Sequence, residues 1–254
     1  MSTTEAIIIG LVQGLTEFLP ISSSGHLVIF QKILKINSPG NLIEVSAHLG
    51  TLLSIIFIYK NDIYNIISSA KSSASKNYIT MIILATIPSV VFVITSKSHI
   101  LQLFESTRSV AIALIFTGCI LYISGRKKYS NQKLSLAKGV LVGLSQAFAI
   151  IPGISRSGMT ISLALLLGIS SKEAAKFSFM LAIPAILGAT ILTFFDTQFD
   201  QLKILIVPLL ITASVSFFSG YIALKFLIKI LNAGKFYYFS FYCIFIGIIS
   251  LLFI

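Results

Sequence analysis

Apolar stretches long enough to cross a bilayer recur from one end of this chain to the other, and nothing constrains its fold more. They fall at about 42–59, 78–94, 109–124, 177–195, 204–222 and 236–254. A crossing helix needs about 20 predominantly apolar residues to traverse about 30 Å of hydrocarbon. In that solvent every backbone polar group must be satisfied inside the protein, so continuous runs of this length select helices. The chain is 56% hydrophobic and only 11% charged, whereas a soluble domain carries about 25% charge. The expected fold is an all-α polytopic membrane protein, one integral domain over residues 1–254, with about six crossings.

Two further regions break the pattern. Ala6–Leu19 stops at Pro20, passes through a Ser/Gly stretch and resumes as Leu27–Ile36; Leu136–Ile151 stops at Pro152, passes through "GISRSG" and resumes as Met159–Ile169. Each arm is too short to span, so each pair reads as a re-entrant helical hairpin with a polar tip. Such a tip is tolerated at membrane depth only where protein buries it or a wet cavity adjoins it. The two regions also parallel one another. "GLVQGLTE" (Gly10–Glu17) matches "GVLVGLSQ" (Gly139–Gln146), and "SSSGH" (Ser22–His26) matches "SRSGM" (Ser155–Met159). Each hairpin precedes three spans, which gives two repeats over approximately 1–135 and 136–254. The small-residue pairs Gly10/Gly14 and Gly139/Gly143 predict close helix packing within the chain.

The net charge of +11 does not signal nucleic acid. The lysines sit in short connections, where positive charge reports topology and contact with anionic head groups. Lys60, Lys71 and Lys76 form one group, Arg126, Lys127, Lys128, Lys133 and Lys138 a second, and Lys225, Lys229 and Lys235 a third. With all three inside, the loop 95–108 and the Asp196/Asp200 loop fall outside. The first hairpin then enters from outside and the second from the cytoplasm, so the repeats are inverted and their tips approach each other, as in folds with a site at a repeat interface. The first stretch holds Glu5 and no basic leader region, so it belongs to the mature fold. Cys119 and Cys243 read as buried small hydrophobes, and the aromatic run "KFYYFSFYCIF" (Lys235–Phe245) as an interfacial belt.

Inverted hairpins bring Glu17, Ser22, Ser23, Ser24 and His26 near Ser155, Arg156, Ser157 and Thr160. Intramembrane ionisable groups are costly and mark function by default. An arginine and backbone N–H groups just ahead of a helix are anion-binding machinery. A phosphate held there would face Ser22–Ser24 as candidate nucleophiles, with His26 and Glu17 as acid–base partners or orienters. A divalent cation commonly assists such chemistry. Glu17 and Glu44 are the acidic groups within reach, so phosphate oxygens and water must complete its shell.

These motifs carry a resemblance. "QGLTEFLPISSSGHL" and "PGISRSGMT" resemble the two signature motifs of the bacterial undecaprenyl-diphosphate phosphatase family, tied to bacitracin resistance, and the segment order matches over essentially the whole chain. The resemblance implies removal of the terminal phosphate of undecaprenyl diphosphate, which recycles the lipid carrier of peptidoglycan synthesis. It implies a divalent cation (Mg²⁺ or Ca²⁺), a site open to the outer face of the bacterial cytoplasmic membrane, and often a homodimer. Bacitracin would act indirectly, by sequestering the substrate. The family's first acidic position falls on Gln13, leaving Glu17 as the carboxylate and metal ligand. Ser23 matches the proposed nucleophile between Ser22 and Ser24. His26 matches the family's histidine, and Arg156 its phosphate-binding arginine, flanked by Ser155 and Ser157 with Thr160 completing the motif. His48 adjoins the site as a supporting group or as a residue packed at the start of a span.

A transporter or flippase for a phosphorylated lipid or other anion is the alternative, since inverted repeats with broken helices also build secondary transporters. Transport needs the arginine but no nucleophile, and Ser23, His26 and Glu17 favour the enzyme.

Overall fold

The computed structural model describes residues 2–34, 42–127, 132–195 and 199–253, and the elements it forms there are all helices. In chain order they are α1 (Thr3–Phe18), α2 (Ser23–Leu34), α3 (Leu42–Ile58), α4 (Lys60–Ser68), α5 (Ser73–Glu105), α6 (Thr107–Gly125), α7 (Leu136–Phe148), α8 (Arg156–Leu166), α9 (Ser171–Phe195), α10 (Phe199–Asn232) and α11 (Tyr238–Phe253). Ile36, Lys128, Asp196 and Ile254, which fall in the expected arm, basic loop, outer loop and last span, lie outside the described residues.

Serine caps set many of the boundaries. Ser2, Ser72, Ser106, Ser135 and Ser155 each accept a backbone N–H of the first turn that follows, satisfying a donor that has no partner within the helix. Ser2 and Glu5 complete a reciprocal capping box. The second arms of both hairpins start earlier than the sequence suggests, at Ser23 and Arg156 rather than Leu27 and Met159. Their Ser and Gly residues form the first helical turn instead of a loop, because a capping hydroxyl precedes each. The expected outer loop 95–108 is also helical: α5 runs to Glu105 and only Ser106 separates it from α6.

Among the described residues, four helices have segments long and apolar enough to cross: Ser73–Ser96 of α5, α6, Ser171–Thr193 of α9 and Leu205–Asn232 of α10. The pair α3 and α4, bent by 73°, makes a fifth when the two are counted as one broken span. The sixth expected crossing, α11, is a 16-residue apolar helix, shorter than the roughly 20 residues of a full span. Its start is delayed by the turn at Gly234 (φ 69°).

The hairpins pack on long helices of the opposite half. α1 lies along α10, and α7 lies along α5. Both contacts use the small-residue pairs. A Cβ on Gly14 would stand 2.6 Å from the Ser216 carbonyl on α10, and one on Gly143 would stand 2.1 Å from the Ala85 carbonyl on α5. Ser219 Oγ and Thr212 Oγ1 on α10 donate to the α1 carbonyls of Gly10 and Ala6 at 3.4 and 3.2 Å. Small residues therefore bring backbones together without a hydrophobic drive, as membrane helices require. Phe18, Phe177, Phe179 and Phe236 anchor the interior, while Phe218, Ile222 and Phe253 face outward, as a lipid-bathed surface permits. Cys243 is buried, but Cys119 is exposed on α6; of the two cysteines only Cys243 is the small buried group expected.

Candidate active site

Each hairpin turns where a proline follows the first arm and a serine precedes the second. Leu19 is extended (φ −62°, ψ 139°), the conformation favoured before a proline. Ser22 stands at φ 68°, a left-handed conformation rare for a residue with a side chain. Its Oγ accepts from Gly25 N at 3.2 Å. At the matching position of the second tip, Ser155 Oγ accepts from Gly158 N at 3.1 Å. In both tips the serine two residues on, Ser24 or Ser157, lies 3.3 Å from the capping hydroxyl. Ser23 and Arg156 are thus counterparts, the first residues of α2 and α8, where positive helix ends lie.

The tips touch. A Cβ on Gly25 would come 3.1 Å from the Cα of Gly153, and Ser157 Oγ donates to the Leu19 carbonyl at 3.4 Å. Gly153 has φ 94°, and a Cβ there would stand 2.4 Å from the Val110 carbonyl, so only glycine fits. Thr117 on α6 holds the second tip, donating to the Gly153 carbonyl at 3.1 Å and accepting from Ser155 N at 3.2 Å.

Glu17, in the last turn of α1, is the hub. Its Oε1 accepts from Arg156 Nη2 at 2.6 Å. Its Oε2 accepts from Ser23 Oγ at 2.6 Å and from Gln13 Nε2 at 2.9 Å. Gln13 Nε2 also lies 2.8 Å from His48 Nδ1 on α3, which is 3.6 Å from Glu17 Oε2. A buried carboxylate demands such partners, and here they come from four helices. Arg156 Nη1 reaches the Ser178 carbonyl on α9 at 3.5 Å.

The cluster opens into a cavity of about 640 Å³. Glu17, Ser22, Ser23, Ser24, His48, Ser155 and Arg156 line one end; the other is apolar, between Val90, Val93 and Ile94 of α5 and Ile186, Ile191 and Leu192 of α9. The remaining expected residues do not line it. Gln13 lies behind Glu17. Ser157 stitches the tips together. Thr160 Oγ1 donates to the Arg156 carbonyl at 2.8 Å and lies 2.6 Å from Ser178 Oγ. Glu44 accepts from Gln31 Nε2 at 3.1 Å.

His26 is buried away from Glu17. Its Nδ1 is 2.8 Å from the Ser22 carbonyl and its Nε2 is 2.9 Å from the Tyr242 hydroxyl, with the two rings stacked at 5.6 Å. A carbonyl only accepts, so Nδ1 carries the proton and, in the neutral ring, Nε2 accepts from Tyr242. Tyr242 belongs to the aromatic run read as a lipid belt; nothing local in the sequence marks its hydroxyl as turned inward. Gln146 and Ser89 also line the cavity and were not among the expected residues. The parallel of "GLSQ" with "GLTE", which sets Gln146 opposite Glu17, was the signal available.

Among the described residues no group of three or more His, Cys, Asp or Glu side chains is placed to hold a metal ion. The donors at hand in the cavity are oxygens, the Glu17 carboxylate and the Ser23 hydroxyl; Gln13 Oε1, behind Glu17, is buried without a hydrogen-bond partner. That set fits a hard cation sharing its shell with phosphate and water, and no all-protein cage.

Comparison with known proteins gives consistent matches. A family model described as "Bacitracin resistance protein BacA" matches residues 6–249. A protein of Carboxydothermus hydrogenoformans named undecaprenyl-diphosphatase is 39% identical over 254 residues, covering 98% of this chain and 96% of its own. One of the same name from Korarchaeum cryptofilum is 39% identical over 260 residues, covering 98% of each. Undecaprenyl-diphosphatase 2 of Bacillus thuringiensis is 38% identical over 262 residues, covering 98% and 96%.

Proposed function

The chain belongs to the bacitracin resistance protein BacA family, and on that premise we propose that it is a phosphatase converting undecaprenyl diphosphate to undecaprenyl phosphate. The observation that carries this reading is the pair of contacts at Glu17: a serine hydroxyl on one carboxylate oxygen and an arginine on the other, both at 2.6 Å, facing a cavity with an apolar arm.

In the proposed reaction the terminal phosphate takes Arg156 as its partner and separates it from Glu17. The guanidinium fork and the N-terminal ends of α2 and α8 neutralise its oxygens. Ser23 Oγ attacks the terminal phosphorus as its proton passes to Glu17 Oε2, which already accepts it. The bond from that phosphorus to the bridging oxygen breaks, and the lipid leaves as a monophosphate. Glu17 hands that proton to the departing lipid phosphate, then takes one from the water that attacks the phosphoserine and returns it to Ser23 Oγ as inorganic phosphate leaves. Gln13 and His48 hold Glu17 in place. His26 touches neither carboxylate nor cavity, and we assign it to positioning: it binds the carbonyl of Ser22 and so braces the strained residue beside Ser23. A divalent cation held by Glu17, with Ser23 as a further oxygen donor, would offset charge on the diphosphate.

The isoprenoid chain occupies the arm between α5 and α9 and continues into lipid; each buried CH₂ contributes about 0.8 kcal/mol. The basic ends of α4, α5 and α9 lie at the other end of these helices from the arm, which supports a site on the outer face of the cytoplasmic membrane. That location suits recycling of a cell-wall lipid carrier, and bacitracin would interfere by withholding the substrate. The relatives' names lend no support to a transport function.

The test is phosphate release from a short polyprenyl diphosphate in detergent, with Mg²⁺, Ca²⁺ or EDTA. Arg156→Ala and Ser23→Ala are expected to lose at least about 10²-fold in rate, and EDTA to abolish turnover. Folded wild type that releases no phosphate under any ion refutes the reading.

A further inference from the structure

Away from the two tips and the Glu17 cluster, the polar side chains lining the cavity among the described residues are Thr86, Ser89, Gln146 and Thr190. Two are committed within their own helices: Thr86 Oγ1 donates to the Ile82 carbonyl and Thr190 Oγ1 to the Ile186 carbonyl, both at 2.8 Å. Gln146 is not. It is 2% exposed, its Nε2 lies a long 3.4 Å from Ser89 Oγ, and its Oε1 has no hydrogen-bond partner. Turning the amide over lets Ser89 donate to Oε1 and frees Nε2 instead. Either way one end of a buried amide is unpaired, an unfavourable arrangement unless a ligand completes it.

Its position says which ligand. Gln146 occupies the place in α7 that Glu17 occupies in α1, and it lines the same cavity as Arg156, 3.4 Å from Ser89, the residue of α5 just before Val90 of the apolar arm. A diphosphate lipid whose terminal phosphate sits at Arg156 and whose chain enters the arm must set its other phosphate between them. We propose that Gln146, supported by Ser89, binds the phosphate that remains on the lipid, a reading that rests on the phosphatase function above. The Nε2 hydrogens suit its non-bridging oxygens.

The choice of a neutral donor has a consequence. A second arginine would hold the anionic product tightly, whereas an amide grips it with ordinary hydrogen bonds and lets it go. It also explains selectivity: a lipid monophosphate anchored at Gln146 places no phosphorus beside Ser23, so it inhibits without being cleaved.

The experiment compares purified full-length wild type, Gln146→Ala, the near-isosteric Gln146→Glu and Ser89→Ala in detergent, each checked by thermal unfolding. Two inhibitors are titrated against polyprenyl diphosphate hydrolysis: polyprenyl monophosphate and inorganic phosphate. Direct binding of the polyprenyl monophosphate is measured by calorimetry in parallel. Gln146→Ala is expected to raise the inhibition constant of the lipid monophosphate about five- to tenfold and leave that of inorganic phosphate within about twofold. Gln146→Glu, which sets a negative charge against the anion, is expected to weaken it further. The proposal is overturned if both variants bind the lipid monophosphate as wild type does, or if both inhibitors weaken equally. If wild type hydrolyses nothing, the phosphatase reading fails by itself, and the calorimetric comparison still decides whether Gln146 holds a lipid phosphate.

Discussion

In the proposed reaction Ser23 is useful only if its hydroxyl points at Glu17, and a relay of three groups holds it there. The Tyr242 hydroxyl donates to His26, His26 donates to the Ser22 carbonyl, and Ser22 keeps φ 68°. A left-handed serine stores of order 1–3 kcal/mol, so the relay offsets a strain that would otherwise relax and swing Ser23 away. Tyr242→Phe keeps the stacked ring and deletes only the hydroxyl. It is expected to lower kcat for the diphosphate about tenfold, because small misplacement of a nucleophile is kinetically expensive, with KM nearly unchanged. Its thermal midpoint should shift by no more than one hydrogen bond, about 1 kcal/mol, implies. A lowered midpoint with unaltered kcat would reduce the relay to packing. This relay was illegible in the chain: Tyr242 sits among aromatics that read as a belt, and its partner is 216 positions away. The meeting of Glu17, Ser23 and Arg156 was legible, because polar groups in an apolar chain require a reason.

At the scale of elements, glycines separate helix packing from cavity shape. Gly143 has no space for a methyl, since an added Cβ would stand 2.1 Å from the Ala85 carbonyl, whereas a Cβ on Gly188 meets nothing within 4 Å. Gly143→Ala must push α7 off α5, at about 1–3 kcal/mol, and with it the tip carrying Arg156. Gly188→Ala is expected to leave the unfolding midpoint in detergent unchanged. Gly188→Phe, by filling the arm beside α9, should raise KM for long-chain polyprenyl diphosphates more than for short ones. Equal midpoints for Gly143→Ala and wild type, or equal KM effects across chain lengths, would remove this division of roles. The small-residue pairs could be read from spacing, and so could both hairpins. The starts of α2 and α8 could not, because Ser and Gly after a proline look like loop until the capping hydroxyls of Ser22 and Ser155 are seen to close a helical turn. The helical end of α5 escaped for a related reason, since polar residues at 96–102 carry no strong breaker.

The whole molecule has two chemically distinct ends. Lys60, Lys71, Lys76, Lys172, Lys176 and Lys235 cluster where α4, α5, α9 and α11 begin, and Lys176 pairs with Asp62 of α4 at 2.5 Å. The cavity instead reaches Phe104 and Leu192, near the other ends of α5 and α9. Positive charge is retained on the cytoplasmic side, so the proposed orientation opens the site to the opposite face. Exposed positions at the two ends test this directly. In a Cys119→Ala background, which removes the exposed native thiol, Gln102→Cys should react with a membrane-impermeant maleimide in intact cells. Lys71→Cys should react only after permeabilisation. The reverse pattern would turn the molecule over and place the site on the cytoplasmic face. Labelling of both positions in intact cells would mean that two orientations coexist, contrary to the single orientation proposed.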